Sequence, residues 1–252
     1  MAHILAVDTT TAHASVAIAS GEKLFEAEVN SGAKHGEFLL DLVKQCLQAA
    51  ELDMADLDAI SFGQGPGSFT GLRIACGVAQ GLAFAHDLPV IAVNSLEALA
   101  YGGWREWQHR TAASTDPLVV LATIDARMDE VYFAAFEMTE QATQILIPSI
   151  VGRPESILSA IPAEGLRQSG DSADVFSGLL DRYKHWIGVG SGWQFQPRFT
   201  QLIDFPLQAI DPNAVPRARD IVAIARRRFE ANQVVFAAQA QPLYIRNKVA
   251  HT

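Results

Sequence analysis

A glycine-rich loop that runs into an almost wholly apolar helix constrains this chain more than any other stretch. The loop follows a strand-like run at 58–62 and reads Gly63-Gln64-Gly65-Pro66-Gly67-Ser68-Phe69-Thr70-Gly71. The helix is predicted over 71–85, and its polar side chains are Arg73 and Gln80. A helix that is apolar on nearly every side must be buried on more than one side. A sheet can cover one face, and the other face needs a second covering element.

The two faces of this helix differ in composition. One face is predicted to lie on the chain's own sheet and holds Ile74, Gly77, Val78, Gly81 and Leu82. The nearly opposite face is predicted to be a partner interface and holds Leu72, Cys76, Ala79 and Ala83. Small side chains let a second helix approach closely, which increases dispersion contacts. Soluble monomers rarely expose a contiguous apolar patch of ~400 Å² to water. This face therefore predicts that the chain pairs with itself or with a partner.

Composition narrows the classes of protein that this chain can join. The chain has 252 residues, enough for two halves, and a formal net charge of −9, which disfavours non-specific binding of nucleic acid. Cys46 and Cys76 lie on predicted helices and are expected to be reduced core residues of a cytoplasmic protein. No apolar run reaches the ~18 residues of a membrane span, and the N-terminus lacks the pattern of a signal peptide.

The order of predicted elements suggests a duplicated α/β architecture. The first half, 1–105, is predicted as βββαβαβα, with strands His3–Asp8, Ala14–Ala19, Leu24–Val29, 58–62 and Pro89–Val93 and helices Glu37–Ala50, 71–85 and Ser95–Trp104. The second half, 106–252, again opens with three strands, Leu118–Ile124, Val131–Phe136 and Gln144–Ile147. Gly102–Asp116 is interpreted as a connector. Helices are then predicted at Pro154–Ala160, Ala173–Tyr183 and Pro216–Asn232, with an extended segment at Pro242–Arg246.

Two neighbouring features are candidates for binding a nucleotide or another anion. Asp8 ends the first strand and is followed by Thr9 and Thr10, as in many nucleotide-binding folds. The loop around Gly65 and Gly67 opens a helix, whose N-terminus attracts anions. The alternatives are a plain turn capped by Asp8 and a structural elbow that lets the helix pack tightly. The loop matches neither the phosphate-binding loop of the NTPases nor the dinucleotide fingerprint.

Other polar groups give weaker signals. The seven histidines show no metal-ligand spacing and there is no Cys-x-x-Cys, so no metal site is expected. The run 125–130 holds three acids and could bind a metal, but it is more typical of a charged hairpin turn. The arginines at 217–228 form either a basic patch or a solvated helix face, and the solvated face is favoured.

Taken together, these stretches resemble the TsaB (YeaZ) family of bacterial tRNA threonylcarbamoyladenosine biosynthesis proteins. The most specific match is Gly65-Pro66-Gly67-Ser68-Phe69-Thr70-Gly71-Leu72-Arg73-Ile74. The others are Ile4-Leu5-Ala6-Val7-Asp8-Thr9-Thr10, His35-Gly36-Glu37-Phe38-Leu39-Leu40, Asn94-Ser95-Leu96-Glu97-Ala98-Leu99-Ala100, Ile124-Asp125-Ala126-Arg127, Glu130-Val131-Tyr132 and Pro242-Leu243-Tyr244-Ile245-Arg246. They span nearly the whole chain in the order that the family has.

The resemblance implies the ASKHA fold of actin, Hsp70 and sugar kinases, with two βββαβα-type halves. It implies a non-catalytic subunit that works with a larger paralogue, TsaD, and a small ATPase, TsaE, and that meets tRNA indirectly through their complex. The paralogue's His-x-x-x-His metal site has no counterpart here, so no catalytic or metal residue is assigned. No tightly bound cofactor is expected, and weak ATP or ADP binding is considered for Asp8, Thr10, Gly65 and Gly67. A homodimer is expected for the chain alone. An ASKHA-type ATPase or phosphotransferase is the alternative, and a glycoprotease-type peptidase ranks last.

Overall fold

A computed structural model describes residues 2–30, 35–111, 116–160, 178–200 and 207–246. The strands are β1 His3–Asp8, β2 His13–Ser20, β3 Lys23–Asn30, β4 Ala59–Gly65, β5 Val90–Asn94, β6 Leu118–Arg127, β7 Glu130–Met138, β8 Thr143–Gly152, β9 His185–Val189 and β10 Leu207–Asp211. The helices are α1 His35–Ala50, α2 Phe69–His86, α3 Ser95–Arg110 and α4 Ala218–Glu230. Within these residues, no helix is long and apolar enough to cross a bilayer.

The two sheets share one topology, which confirms the predicted duplication. The first has the order β3-β2-β1-β4-β5 and the second β10-β9-β6-β7-β8. In each sheet the first three strands along the chain pair antiparallel, and the next two add in parallel beside the first. Written from the third strand of each half, the two orders are the same. The fold is therefore α/β with two halves of the ASKHA type.

The first unit is a sheet covered on both faces. Leu5 and Val7 of β1 lie in one core with the apolar sides of α1 and α2. Because side chains alternate across a strand, Ile4 and Ala6 face the other side, where α4 packs against β1, β2 and β4. All four of these β1 residues are fully buried. A strand buried on both faces reads as a continuous apolar run, which is the pattern of β1.

The predicted domain boundary needs a correction. The compact units are Met1–Ala98 with Val215–Tyr244, and Leu99–Ala214 with Ile245–Thr252, so 106–252 is not one contiguous half. The segment that carries α4 returns to the first sheet because its apolar side covers the otherwise bare second face. Ser15 Oγ accepts a hydrogen bond from the Ala218 amide at 2.8 Å, and Arg228 pairs with Glu97 at 2.5 Å, so both ends of α4 are fastened to the first unit.

The predicted faces of α2 are wrong for the small residues, whereas Ile74, Val78 and Leu82 are half-buried and pack against the core of this unit. Leu72, Cys76, Ala79 and Ala83, expected at a partner interface, are at most 4% exposed. Cys76, Ala79 and Ala83 belong to the core under the sheet. Gly77 and Gly81, expected against the sheet, are exposed, and a Cβ added to either meets nothing within 4 Å. The reason is packing volume, since the strands beneath α2 present large side chains such as Phe62 and Ile60. A close-packed layer then needs small residues on the helix.

The second half differs from its prediction in several elements. Helix α3 continues through the supposed connector to Arg110. Strands β9 and β10 were not predicted from the sequence. Pro154–Ala160 is a kinked 3-10 helix, and the helix predicted at Ala173–Tyr183 lies largely outside the described residues, although 178–182 are helical. The core of this unit gathers around Trp186, Phe133 and Trp193.

Candidate functional site

The Asp8–Thr10 turn is closed by hydrogen bonds within itself. The Thr10 amide donates to Asp8 Oδ1 at 3.1 Å, and the Thr10 hydroxyl lies 3.0 and 3.1 Å from the two carboxylate oxygens. Both residues are buried, and Asp8 is fully so. Thr9 turns the other way and donates from Oγ1 to the carbonyl of Gly71 at 2.7 Å. The turn is thus joined directly to the first turn of α2.

Burial dominates the electrostatics of this turn. Loss of solvation raises the pKa of Asp8 to about 7, and the two hydrogen bonds from Thr10 oppose the rise without cancelling it. A desolvated carboxyl favours its neutral form, since no opposing charge offsets the lost hydration. Asp8 is therefore close to half protonated near neutral pH.

The glycines of the loop are required by close contact with this turn. A Cβ at Gly67 would lie 2.4 Å from the carbonyl oxygen of Thr10, and one at Gly71 would lie 1.8 Å from that of Thr9. A Cβ at Gly63 would lie 1.9 Å from Asp8 Oδ2. These spacings leave no room for any side chain. Packing against the turn therefore accounts for the glycine pattern at these positions.

Several amides of the loop also have internal partners. Ser68 donates from its backbone to Thr10 O at 2.7 Å, and Gly65 donates to the buried hydroxyl of Ser95 at 3.1 Å. The Gly71 amide is capped by Ser68 Oγ at 3.4 Å. An amide engaged in this way is not free to bind phosphate. The geometry favours the structural elbow, and the Asp8 carboxyl, sealed by Thr10 and Gly63, does not fit a hydrated cation. Weak nucleotide binding at Asp8, Thr10, Gly65 and Gly67 stays an untested prediction.

In the second unit, the corresponding hairpin is a charged turn. Arg127, Met128 and Asp129 all have positive φ, between 56° and 62°. The Arg127 amide donates to Asp125 Oδ1 at 2.7 Å, while Arg198 binds Asp129 at 3.1 Å. Glu130 pairs with Arg246. The acids of 125–130 are thus engaged by amides and arginines, as expected for a charged hairpin.

Arginines at the start of α4 and along it lie close to acids of β3 and the turn before it. Arg217 lies 3.8 Å from Glu28, and Arg219 lies 3.1 Å from Glu26. Arg226 lies 3.9 Å from Glu22. The basic-patch interpretation is therefore not supported, because these charges are matched on the surface.

An exposed face on α2 is the strongest docking feature of the first unit, although most of its residues were predicted to lie against the sheet. We call it the α2 outer face, and it consists of Ile74, Gly77, Val78, Gly81 and Phe84. Phe84 is 81% exposed, the two glycines are bare, and the two branched residues are half-buried. The signal that could have found it is the size of the strand residues, since Ile60 and Phe62 leave room on the sheet side of the helix for alanines such as Ala75 and Ala79.

Comparisons with known proteins agree with this fold over its full length. A family model described as "TsaD: tRNA N6-adenosine threonylcarbamoyltransferase" matches residues 29–252. The chain is 32% identical to the tRNA threonylcarbamoyladenosine biosynthesis protein TsaB of Escherichia coli, over 98% of this chain and 96% of that protein. It is 31% identical to TsaB of Haemophilus influenzae, over 98% and 94%. The solved structure of YeaZ from Pseudomonas aeruginosa superposes with a TM-score of 0.79 at 34% identity, over 97% of this chain and 100% of that one. The chain therefore belongs to the TsaB (YeaZ) family of tRNA threonylcarbamoyladenosine biosynthesis proteins.

Proposed function

We propose that this chain is a non-catalytic partner subunit in the threonylcarbamoylation of tRNA. In this role it pairs with a TsaD-type paralogue of the same fold, which transfers the threonylcarbamoyl group to the adenosine next to the anticodon. The TsaE ATPase completes the complex, and the reaction is placed in the cytoplasm. Support comes from family membership and from relatives named for this biosynthesis over nearly the full chain.

The observation that carries the proposal is the α2 outer face. Gly77 and Gly81 lie one helical turn apart on the exposed side, and nothing in the described residues of the chain covers them. A bare backbone flanked by Ile74 and Val78 admits a second helix at short distance, which increases dispersion contacts. Phe84 at the end of the face supplies a large apolar side chain of the kind that is often a hot spot.

The same face can serve two assemblies. A two-fold pairing of identical α2 helices would cover it in the chain alone, and a paralogue of the same fold presents a helix in the equivalent place. We therefore propose a homodimer of the isolated chain and a heterodimer in the working complex. Because both use one face, the two assemblies exclude each other.

The Asp8 turn supports a structural role over an ATPase. An ASKHA-type ATPase needs an accessible acid that orients a metal-bound water. Asp8 is fully buried and hydrogen-bonded to Thr10. The family resemblance places the transferase chemistry on the paralogue, and tRNA reaches this chain through the complex.

The test is reconstitution of the modification from purified components. With TsaD, TsaE, ATP, the threonylcarbamoyl donor and unmodified tRNA present, threonylcarbamoyladenosine should form only when this chain is added. The chain alone should form none and should hydrolyse no ATP at enzyme-like rates. Formation that is equally fast without the chain, or turnover by the chain alone that Asp8→Ala abolishes, would contradict the proposed role.

A further inference from the structure

An exposed cluster of two aromatic rings and an arginine lies at the start of α2. We call it the Phe69 cluster, and it consists of Phe69, Arg73 and Tyr244. The Arg73 guanidinium lies over the Phe69 ring, 3.8 Å from its centroid. The Phe69 and Tyr244 rings are 5.6 Å apart, and Arg73 Nε donates to the Tyr244 hydroxyl at 3.3 Å.

The cluster is held in place yet open to solvent. Phe69 is 54% exposed and Tyr244 is 45% exposed. The segment that carries Tyr244 is fastened to the loop and helix, because the Leu243 amide donates to Gln64 O at 2.7 Å and Gln80 Nε2 donates to Ala240 O at 2.8 Å. Large exposed apolar rings in a fixed arrangement indicate a binding surface.

The charge of Arg73 is not matched by an acid. Among the described residues it forms no ion pair, whereas Arg198, Arg219 and Arg228 each bind a carboxylate. A guanidinium stacked on an aromatic ring keeps its outward N–H groups for an anion. The cluster thus combines aromatic faces with one uncompensated cation.

This combination suits an unpaired nucleobase and its phosphate. Single-stranded RNA is recognised by stacking of bases on aromatic rings and on arginine planes, with cations at the backbone. We infer that the Phe69 cluster stacks an unpaired base of the tRNA, an inference that rests on the proposed function and gives this chain a direct contact with the substrate RNA.

Two further features favour RNA over a second protein partner at this place. At 100° per residue, Phe69 and Arg73 lie about 100° or more from Ile74 and Val78 around the helix. Arg73 lies about 40° from Gly77, and it lies about 20° from Phe84, which is about 16 Å further along the helix axis. The cluster therefore adjoins the α2 outer face at the start of the helix and does not include its centre. In a chain of net charge −9, RNA binding cannot come from a broad basic surface, so a local stacking contact is the form it must take.

The test measures fluorescence anisotropy of a labelled anticodon stem-loop RNA with the full chain and with its complex with TsaD. A fully paired RNA of the same length is the comparison probe. Phe69→Ala and Tyr244→Ala should each weaken stem-loop binding about tenfold or more, and Arg73→Gln should weaken it as well. Tyr244→Phe keeps the ring and should retain most of the affinity. Phe236→Ala removes another ring of the first unit, 78% exposed, and should change nothing.

The salt dependence and the partner assay separate this contact from the alternatives. If Arg73 contacts one phosphate, the slope of log affinity against log salt concentration should differ by about 0.7 between the wild type and Arg73→Gln. Paralogue binding by Phe69→Ala and Tyr244→Ala should match that of the wild type. Loss of paralogue binding with unchanged RNA affinity would make the cluster a protein contact and overturn the inference. The inference is also overturned if RNA affinity is unchanged in all variants, or if neither the wild-type chain nor its complex binds the stem-loop. Failure of the wild-type chain to bind the paralogue contradicts the proposed function instead.

Discussion

Replacing Gly71 with alanine should lower the free energy of unfolding by about 4 kcal/mol or more, enough to unfold many domains. The added Cβ would lie 1.8 Å from the carbonyl oxygen of Thr9. Neither backbone segment can withdraw easily, because Thr9 Oγ1 donates to Gly71 O at 2.7 Å and Ser68 N donates to Thr10 O at 2.7 Å. Moving α2 away would break these bonds and open the core beneath Ala75 and Ala79.

The same substitution six residues along the helix is the matched control. Gly77 lies in α2 with no atom within 4 Å of an added Cβ, so Gly77→Ala should stabilise the chain by up to ~1 kcal/mol through helix propensity. Urea unfolding of the two variants and the wild type gives the comparison. A Gly71→Ala variant as stable as Gly77→Ala would show that the turn and the loop are not in contact as described.

Stability of the chain should fall with rising pH because of Asp8. In the unfolded chain this carboxyl ionises near pH 3.8, and in the folded chain burial raises its pKa to about 7. Below pH 4 both states hold the proton, so Asp8 contributes no penalty. Between pH 4 and pH 7 the unfolded state releases the proton and the folded state keeps it, which costs up to ~1.4 kcal/mol per pH unit and about 4 kcal/mol in total.

Asp8→Asn isolates this contribution, since its side chain does not titrate but can still accept a hydrogen bond from Thr10. The unfolding free energy of the variant minus that of the wild type should rise with pH between 4 and 7 and level off above. Other buried acids such as Glu97, whose pKa burial also raises, are common to both proteins and cancel. Asp41→Asn, on the exposed side of α1, controls for the loss of one acid. A difference that is flat, or that falls over this pH range, would contradict the buried neutral carboxyl.

Sequence pattern alone located most of the first unit. Each strand from β1 to β5 was predicted within a few residues, because apolar runs end at glycines, prolines or acids. The bounds of β1 were predicted correctly, and the strand ends at Asp8, whose carboxylate accepts a hydrogen bond from the Thr10 amide. The loop glycines were recognised as special, but their role needed the contact partners Thr9 and Thr10, which lie about sixty residues earlier.

The faces of α2 could not be assigned from periodicity. The helix is apolar on nearly all sides, so the pattern identifies no solvent-exposed face. Gly77 and Gly81 are equally consistent with close packing against a sheet and with exposure to solvent. The deciding quantity is the size of the strand residues beneath it. Phe62 and Ile60 fill the layer and leave space only for Ala75, Ala79 and Ala83.

The return of α4 to the first sheet was the other feature that the sequence pattern could not predict. Helix α4 has a clear apolar stripe, with Ile221, Val222 and Ala225 buried, but a stripe does not state which sheet it covers. Strand β9 is five residues long and is buried at four of them, so it shows no alternation. A short buried strand and a buried helical turn look alike in sequence.

The measurement that tests the partner role most directly is pull-down of the TsaD paralogue by Gly77→Arg. The position is exposed at the centre of the α2 outer face, so the variant should fold with the circular dichroism spectrum of the wild type. Burying an unpaired charge should cost ~3 kcal/mol or more, which is over about a hundredfold in affinity. The matched control is Gln144→Arg, at an exposed position of β8 in the second unit, and it should bind the paralogue as the wild type does. The account predicts that folded Gly77→Arg neither retains the paralogue nor supports threonylcarbamoyladenosine formation; a folded variant that retains the paralogue with wild-type affinity would contradict it.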